Sequence, residues 1–494
     1  MQNGTLLAAV DLGSNSYRLE IGRLDHGQIH RTEYLKETVR QGNGLDEARN
    51  LTQEAMLRGW DCLARFGERL AGFSKAQVRA VATQTLREAR NRDAFLVRAH
   101  AILGFPIDVI SGREEARLIY QGVAHLLPQS DERRLVVDIG GRSTELILGR
   151  GFGAETTESY RVGSVAWSMK HFTDGQFTEA AFARAEVAAK AVLDDALAAY
   201  RRSDWDVAYG ASGTIGAVAD VLGAAGRPPG VIDRAGLAWL HERLVAARSA
   251  DKLKLDGIKD DRRAVIGGGV SVLRAVFELL EIDVMHAAQG ALRHGVLFDL
   301  LEREHSETDI RSTTVQRLAG KFGVDPAQAT RVGRVASQLL RQLRAADPPA
   351  ELDRLQRKLD WAAQLHEIGS QISHSDYHKH GAYILDNADA PGFAHPELHR
   401  LSLLVLGHRG KLRKLDADFE DELFVHHLLS LRLAVIFCHA RRDPDLRGLQ
   451  LRGDGHVLTL SLRADWAQAW PQSAHLLREE VLAWQKTTWI LSLS

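Results

Sequence analysis

Asp11, Glu115, Asp138 and Glu145 each stand beside a short turn rich in Gly, Ser or Thr. Oxygen ligands of this kind suit Mg²⁺, which keeps several waters and bridges carboxylate to phosphate. This makes Asp11, Asp138 and Glu145 the candidate metal ligands. The turns supply the other half of the chemistry. Asp11-Leu-Gly-Ser-Asn-Ser16 offers Gly13, Ser14, Asn15 and Ser16, and Asp138-Ile-Gly-Gly-Arg-Ser-Thr144 offers Gly140, Gly141, Ser143 and Thr144. Backbone N–H groups and hydroxyls in such turns form concavities that bind anions, and phosphate is the natural ligand. A third segment, Val207–Val218, passes from a strand through Gly213 and Thr214 into a helix of small residues, a further backbone cradle.

Glu115 belongs to Ser111-Gly-Arg-Glu-Glu-Ala-Arg117, where Ser111 followed by acidic residues reads as a helix start. Glu114 there compensates the helix dipole, and Glu114→Gln is expected to cost little. Glu115 carries a chemical role instead, because its helix hands the chain on to the second Asp-x-Gly turn. A carboxylate in that place accepts a proton from an attacking water. Thr83-Gln-Thr-Leu-Arg87 follows an apolar strand over 78–82, so that Arg87 is placed to form a bidentate pair with a phosphate oxygen.

The elements that position these groups repeat. Ala9–Gly22 laid over Val136–Gly149 pairs Asp11 with Asp138, Gly13 with Gly140 and Ser16 with Ser143, at a constant offset of 127. Each copy reads as a strand, a polar turn and an alternating second strand. A supersecondary unit repeated at domain spacing predicts two related α/β lobes with a phosphate cleft between them. From about 306 the pattern becomes helical: Val332, Val335, Ala336, Leu339, Leu340 and Leu343 fall on one face, with Asp325-Pro326 as cap and first-turn proline. The end of the chain reads as a small α+β tail.

The chain has 494 residues, room for about three domains at roughly 100–200 residues each. Apolar residues make up 45% and charged residues 26%, which excludes disorder and low-complexity fibre. The net charge of −1 disfavours a whole-surface nucleic-acid coat. Only Cys62 and Cys438 occur, far apart, against a disulfide framework or a thiolate zinc site. Without an exported leader or an apolar run long enough to span a bilayer, the expected location is the cytoplasm.

Asp11-Leu-Gly-Ser-Asn-Ser, Thr83-Gln-Thr-Leu-Arg, Ser111-Gly-Arg-Glu-Glu-Ala-Arg, Asp138-Ile-Gly-Gly-Arg-Ser-Thr-Glu and Ala291-Leu-Arg-His-Gly-Val together resemble the exopolyphosphatase/guanosine pentaphosphate phosphohydrolase family. The match runs in register from residue 6 to about 300. It implies an actin-like (ribonuclease H-like) fold and Mg²⁺-dependent hydrolysis of a terminal phosphoanhydride, with a monovalent cation such as K⁺ as a second candidate ion and a homodimer as the expected assembly. By the same resemblance Glu115 matches the catalytic base, and Asp138 and Glu145 match metal-binding positions. The chain departs from the family where a third Gly is replaced by Arg142 and where the late Arg-Glu-Gly motif reads Arg293-His294-Gly295.

The C-terminal third resembles the long bacterial members, whose helical domain is similar to HD phosphohydrolases. His366, His374, His378, His380 and His408 invite a metal reading, but Glu367 stands where an HD site needs Asp. The expected domains are actin-like lobes over 1–127 and 128–304, a helical HD-like domain over 305–446 and an α+β tail over 447–494. The leading expectation is an exopolyphosphatase acting on inorganic polyphosphate, with Arg409, Lys411, Arg413 and Lys414 lining a distal path for the chain. The alternative is removal of the 5′ γ-phosphate of guanosine pentaphosphate. An ATP-dependent kinase on the same scaffold and a non-catalytic phosphate sensor are the readings from other classes.

Overall fold

The computed structural model describes residues 1–303 and 308–494, so the expected boundary at 304/305 lies outside the described residues. The chain divides into two compact units, Met1–Thr308 and Asp309–Ser494.

In the first unit, apolar runs become strands buried on both faces, as central strands of a sheet covered by helices must be. One sheet holds β1 (Leu6–Leu12), β2 (Tyr17–Asp25), β3 (Gln28–Glu37), β4 (Val78–Ala82) and β5 (Ile107–Val109) in the order β3-β2-β1-β4-β5. The other holds β6 (Arg133–Ile139), β7 (Thr144–Arg150), β8 (Gly153–Tyr160), β9 (Val207–Ala211), β10 (Val231–Asp233) and β11 (Val284–Ala287) in the order β10-β11-β9-β6-β7-β8. The sequence repeat is thus a repeat of topology. β1 pairs antiparallel with β2 and parallel with β4, just as β6 pairs antiparallel with β7 and parallel with β9. Each lobe keeps its own apolar core.

The register fixes the turns. Asp11 lies opposite Arg18 across the first hairpin, and Asp138 lies opposite Glu145 across the second. Helix Gly112–Ala124 packs against helix Leu292–Glu302 so closely that only glycine fits. A Cβ on Gly295 would sit 1.7 Å from the Leu118 carbonyl oxygen, and one on Gly122 would sit 2.3 Å from that of Ala291.

The second unit is built on helices Ile310–Lys321, Pro326–Leu343, Pro349–Leu365, Tyr377–Asn387, His395–Gly407 and Glu422–Phe437. Asp325 caps the second of these as its sequence predicts, accepting from the Ala327 and Gln328 N–H groups. A three-stranded sheet of β12 (Gln450–Asp454), β13 (Val457–Ser461) and β14 (Ile490–Leu493) and helix Pro471–Trp484 follow. Leu451, Leu460, Trp484 and Trp489 join the same core as Val335, Leu339 and Leu428, so residues 447–494 share the core of the helices before them. Among the described residues no helix is long and apolar enough to cross a membrane.

Candidate active site

The two hairpin turns and the 211–214 turn face one cleft of about 410 Å³ in the first unit. Gly13, Ser14, Asn15, Ser16, Gly140, Gly141, Ser143, Gly213 and Thr214 line it, together with Asp11, Asp138 and Glu115. Thr144, Glu145 and Arg87 are not in the lining. Thr144 Oγ1 instead donates to the Val162 carbonyl oxygen, and Glu145 lies behind the cleft, accepting from Ser159 Oγ at 2.8 Å. The buried Asn15 Nδ2 and Ser16 Oγ have no partner among the described residues. They are polar groups available to a phosphate oxygen. Ser212 takes a left-handed φ of 84°, and its hydroxyl donates to the Ile139 carbonyl, which pins this strained turn against β6.

Glu115 sits in the first turn of helix Gly112–Ala124, whose cap is Ser111 Oγ accepting from the Glu114 N–H at 3.1 Å. Its Oε2 accepts from Arg87 Nη1 at 2.8 Å. Arg87 also donates to the Ile110 carbonyl and, through Nε and Nη2, to Gln84 Oε1. Arg87 therefore holds the candidate base, where the sequence had suggested a phosphate ligand. Glu114 is also more than a dipole partner: it is fully buried and forms a double contact with Arg117, at 2.8 and 2.9 Å.

The buried carboxylates repel one another. Burial raises the Glu115 pKa, the Arg87 charge opposes that, and Asp11 adds to the rise. Asp138 is pushed up to about 7 by burial, then by Glu115, with Arg18 opposing. Glu145 is raised well above the ordinary value by burial and by Glu115 and Asp138. Clustered buried carboxylates with too little positive charge form a donor set that fits a hard divalent cation. Among the described residues no three His, Cys, Asp or Glu side chains are grouped to hold a metal by themselves. A cation here would draw its remaining ligands from water and phosphate.

A second set of cationic groups lines the same cleft and was missed from sequence: Arg18, Lys36, Lys259, Arg262 and Arg293, with Tyr34 among them. Arg18 Nη1 reaches Asp11 Oδ2 at 3.0 Å. Arg262 lies over the 212–214 turn, where a Cβ on Gly213 would meet its guanidinium at 2.3 Å. Burial lowers the Arg262 pKa, Asp261 opposes that, and the Arg18 charge lowers it further. Arg293 is held by the buried Glu20 at 2.5 Å and covers the Tyr34 ring at 4.9 Å. The repeat contained one signal for this set, since the offset of 127 places Arg18 on Glu145: one lobe carries a cation where the other carries an anion.

In the second unit, His366, His378 and His408 come together, with ring centroids 5.4 Å apart for His366 and His408 and 6.3 Å for His378 and His408. Nδ1 of His366 and of His408 lies within hydrogen-bond distance of the Ala363 and Val405 carbonyl oxygens respectively. His374 and His380 are more exposed. Of the basic turn, Arg409 packs over the Tyr377 ring at 4.8 Å, and burial with neighbouring cations lowers Lys414 to about 8. Lys411 and Arg413 are exposed.

The profile of the Ppx/GppA phosphatase family matches residues 21–304, and that of Ppx/GppA phosphatase domain III matches residues 310–482. The chain belongs to the Ppx/GppA phosphatase family, a family of hydrolases, and has its two-lobed actin-like fold followed by its helical domain III. It is 40% identical over 482 residues, 96% of this chain and 95% of the other, to a protein of Vibrio atlanticus named guanosine-5′-triphosphate,3′-diphosphate pyrophosphatase. It is 39% identical over 495 residues, 99% of this chain and 98% of the other, to one of the same name from Vibrio cholerae. Among solved structures, the Aquifex aeolicus PPX-GPPA enzyme superposes with a TM-score of 0.51 at 25% identity, covering 60% of this chain and 99% of that one. The full-length relatives overturn the leading expectation of an exopolyphosphatase, because their name is that of the alternative. The quoted motifs are common to the family and do not discriminate between the two activities.

Proposed function

We propose that this chain hydrolyses the terminal 5′ phosphoanhydride of guanosine 5′-triphosphate 3′-diphosphate, releasing orthophosphate. Two relatives similar over nearly the whole chain are named pyrophosphatases of that nucleotide. The observation that carries the reading is the second cationic set. The hairpin turns suit one phosphate chain, whereas Arg18, Arg262 and Lys36, with Arg293 against Tyr34, offer a separate charged and aromatic surface in the same cleft. A substrate with a 3′-diphosphate and a base uses both sets.

Glu115 takes the proton of the attacking water. Arg87 occupies its Oε2, which leaves Oε1 to face that water. Asn15, Ser16 and the 140–143 turn hold and orient the phosphoryl oxygens, since phosphoryl transfer rests mainly on positioning and electrostatic stabilisation. Asp138 and Asp11, with Glu145 behind them, would hold Mg²⁺, which when bound offsets charge on the phosphate oxygens.

Phosphate release from guanosine pentaphosphate, long-chain polyphosphate, GTP and ATP tests the substrate. Guanosine pentaphosphate should give the highest kcat/KM, and turnover of polyphosphate at an equal or higher kcat/KM would reject the proposal. Arg262→Ala should raise KM for guanosine pentaphosphate by roughly 10–100-fold, the loss of a charged hydrogen bond. GTP, which lacks the 3′-diphosphate, should be little affected. Equal effects on both nucleotides would place Arg262 on the 5′ chain instead.

The metal assignment predicts a thermal response. Mg²⁺ should raise the melting temperature of the wild type by neutralising mutually repelling carboxylates. Asp138→Asn should melt higher than the metal-free wild type and lose most of that response. An unaltered Mg²⁺ shift in Asp138→Asn removes this residue from the site.

A further inference from the structure

Arg142 follows Gly140 and Gly141 in the second phosphate turn, and its side chain neither lines the cleft nor turns fully out to solvent. It crosses from the second lobe's phosphate turn to the first lobe. Nη1 donates to the Gly42 carbonyl at 3.1 Å, and Nη2 donates to Glu88 Oε2 at 3.1 Å. The other oxygen of Glu88 accepts from Gln84 Nε2 at 2.5 Å. This fixes the Gln84 amide with its oxygen toward Arg87, which donates to it through Nε at 3.1 Å and Nη2 at 2.5 Å. Only Nη1 of Arg87 then remains for Glu115, at 2.8 Å, and for the Ile110 carbonyl. Each member of this row is oriented by the charge beyond it. A flipped Gln84 would turn its NH₂ toward Arg87 and its oxygen toward Glu88, unfavourable at both ends.

We propose that Arg142 is a positioning residue for Glu115, acting through Glu88, Gln84 and Arg87 and coupling the 140–143 phosphate turn to the helix that carries the base. The inference rests on the reading of Glu115 as that base. A glycine at 142 leaves Glu88 without its cation, the amide without its fixed orientation and Arg87 free to leave Glu115.

Phosphate release from guanosine pentaphosphate by Arg142→Gly, Arg142→Lys and Glu88→Gln tests this, each variant first shown by thermal melting to be folded. Arg142→Gly should lower kcat by roughly 10–100-fold, the cost of a misplaced catalytic group. KM should change much less than kcat, because the Arg142 side chain itself does not line the cleft. Arg142→Lys, which keeps a cation on Glu88, should recover part of the loss. The double variant Arg142→Gly/Glu88→Gln should be no worse than its poorer single, since both break one row. In a Glu115→Gln background Arg142→Gly should have no further effect. An unchanged kcat, a raised KM alone, or additive losses overturn the proposal. A crystal structure of Arg142→Gly gives a second reading that needs no turnover: Arg87 should have left Glu115, and an unmoved Arg87–Glu115 pair overturns the role of Arg142. If the wild type does not cleave guanosine pentaphosphate, the substrate reading fails and this structural comparison still decides the role of Arg142.

Discussion

Glu115→Gln should lower kcat for phosphate release by roughly 10²–10⁴-fold, the range general-base removal produces, while substrate affinity changes little. The amide keeps the shape of the side chain, and its oxygen can still accept from Arg87, so the cleft geometry survives. What is lost is the capacity to take a proton from water. The wild-type carboxylate is well suited to that task, because burial and Asp11 raise its basicity while Arg87 keeps it in place. Steady-state phosphate release with calorimetric binding of guanosine pentaphosphate separates the two effects. Turnover near that of the wild type would move the base elsewhere. The neighbouring Glu114→Gln is not the silent comparison its place in the helix start suggested. Glu114 is fully buried, contacts Arg117 twice and lies 3.6 Å from Arg79, so the amide should cost stability.

The sequence displayed those parts of the site that local chemistry repeats. Asp-x-Gly turns at an offset of 127, the Ser111 cap and the alternating strands all follow from short-range rules, and the lobes reproduce them. What it concealed depends on partners distant in the chain. Arg87 has the residue type of a phosphate ligand, and only the fold shows its donors taken by Gln84, Ile110 and Glu115. Arg262 and Arg293 meet Arg18 and Tyr34 because sheet order brings β2 and β3 to the same cleft as the 212–214 turn, a pairing no local pattern encodes. Substrate choice was hidden for the same reason. The repeated turns that line the cleft belong to both readings, while the second cationic set is assembled from four separate segments.

Asp299→Asn should lower the stability of the first unit by about 3–5 kcal/mol, the cost of removing one partner from a buried charge network. Asp299 is fully buried in helix Leu292–Glu302 and accepts from Arg79, Arg117 and Arg303, the last at 2.6 Å. An amide there leaves three guanidinium groups with one negative charge fewer, and its own NH₂ must face donors. The melting temperature should fall by roughly 10 °C. The pH dependence identifies the cause. Burial alone would raise the Asp299 pKa, but Arg79, then Arg303 and Arg117, outweigh it and hold the group far below the usual carboxylate range. A carboxyl depressed in the folded state contributes stability that is complete above its unfolded pKa of about 3.9 and is lost as pH falls below it. The gap between wild type and variant should therefore be constant from about pH 8 to 5 and shrink below about pH 4. A gap that persists in acid, or closes on the alkaline side, would mean that packing and not charge is what the substitution disturbs. The effect also bears on activity. Arg117 joins Asp299 to Glu114, one residue from Glu115, and the glycine contacts at 122 and 295 leave the two helices no slack. Below its melting temperature the variant should thus lose kcat as well as stability, with Arg87 still bound to Glu115 but the helix carrying that carboxylate displaced from the phosphate turns.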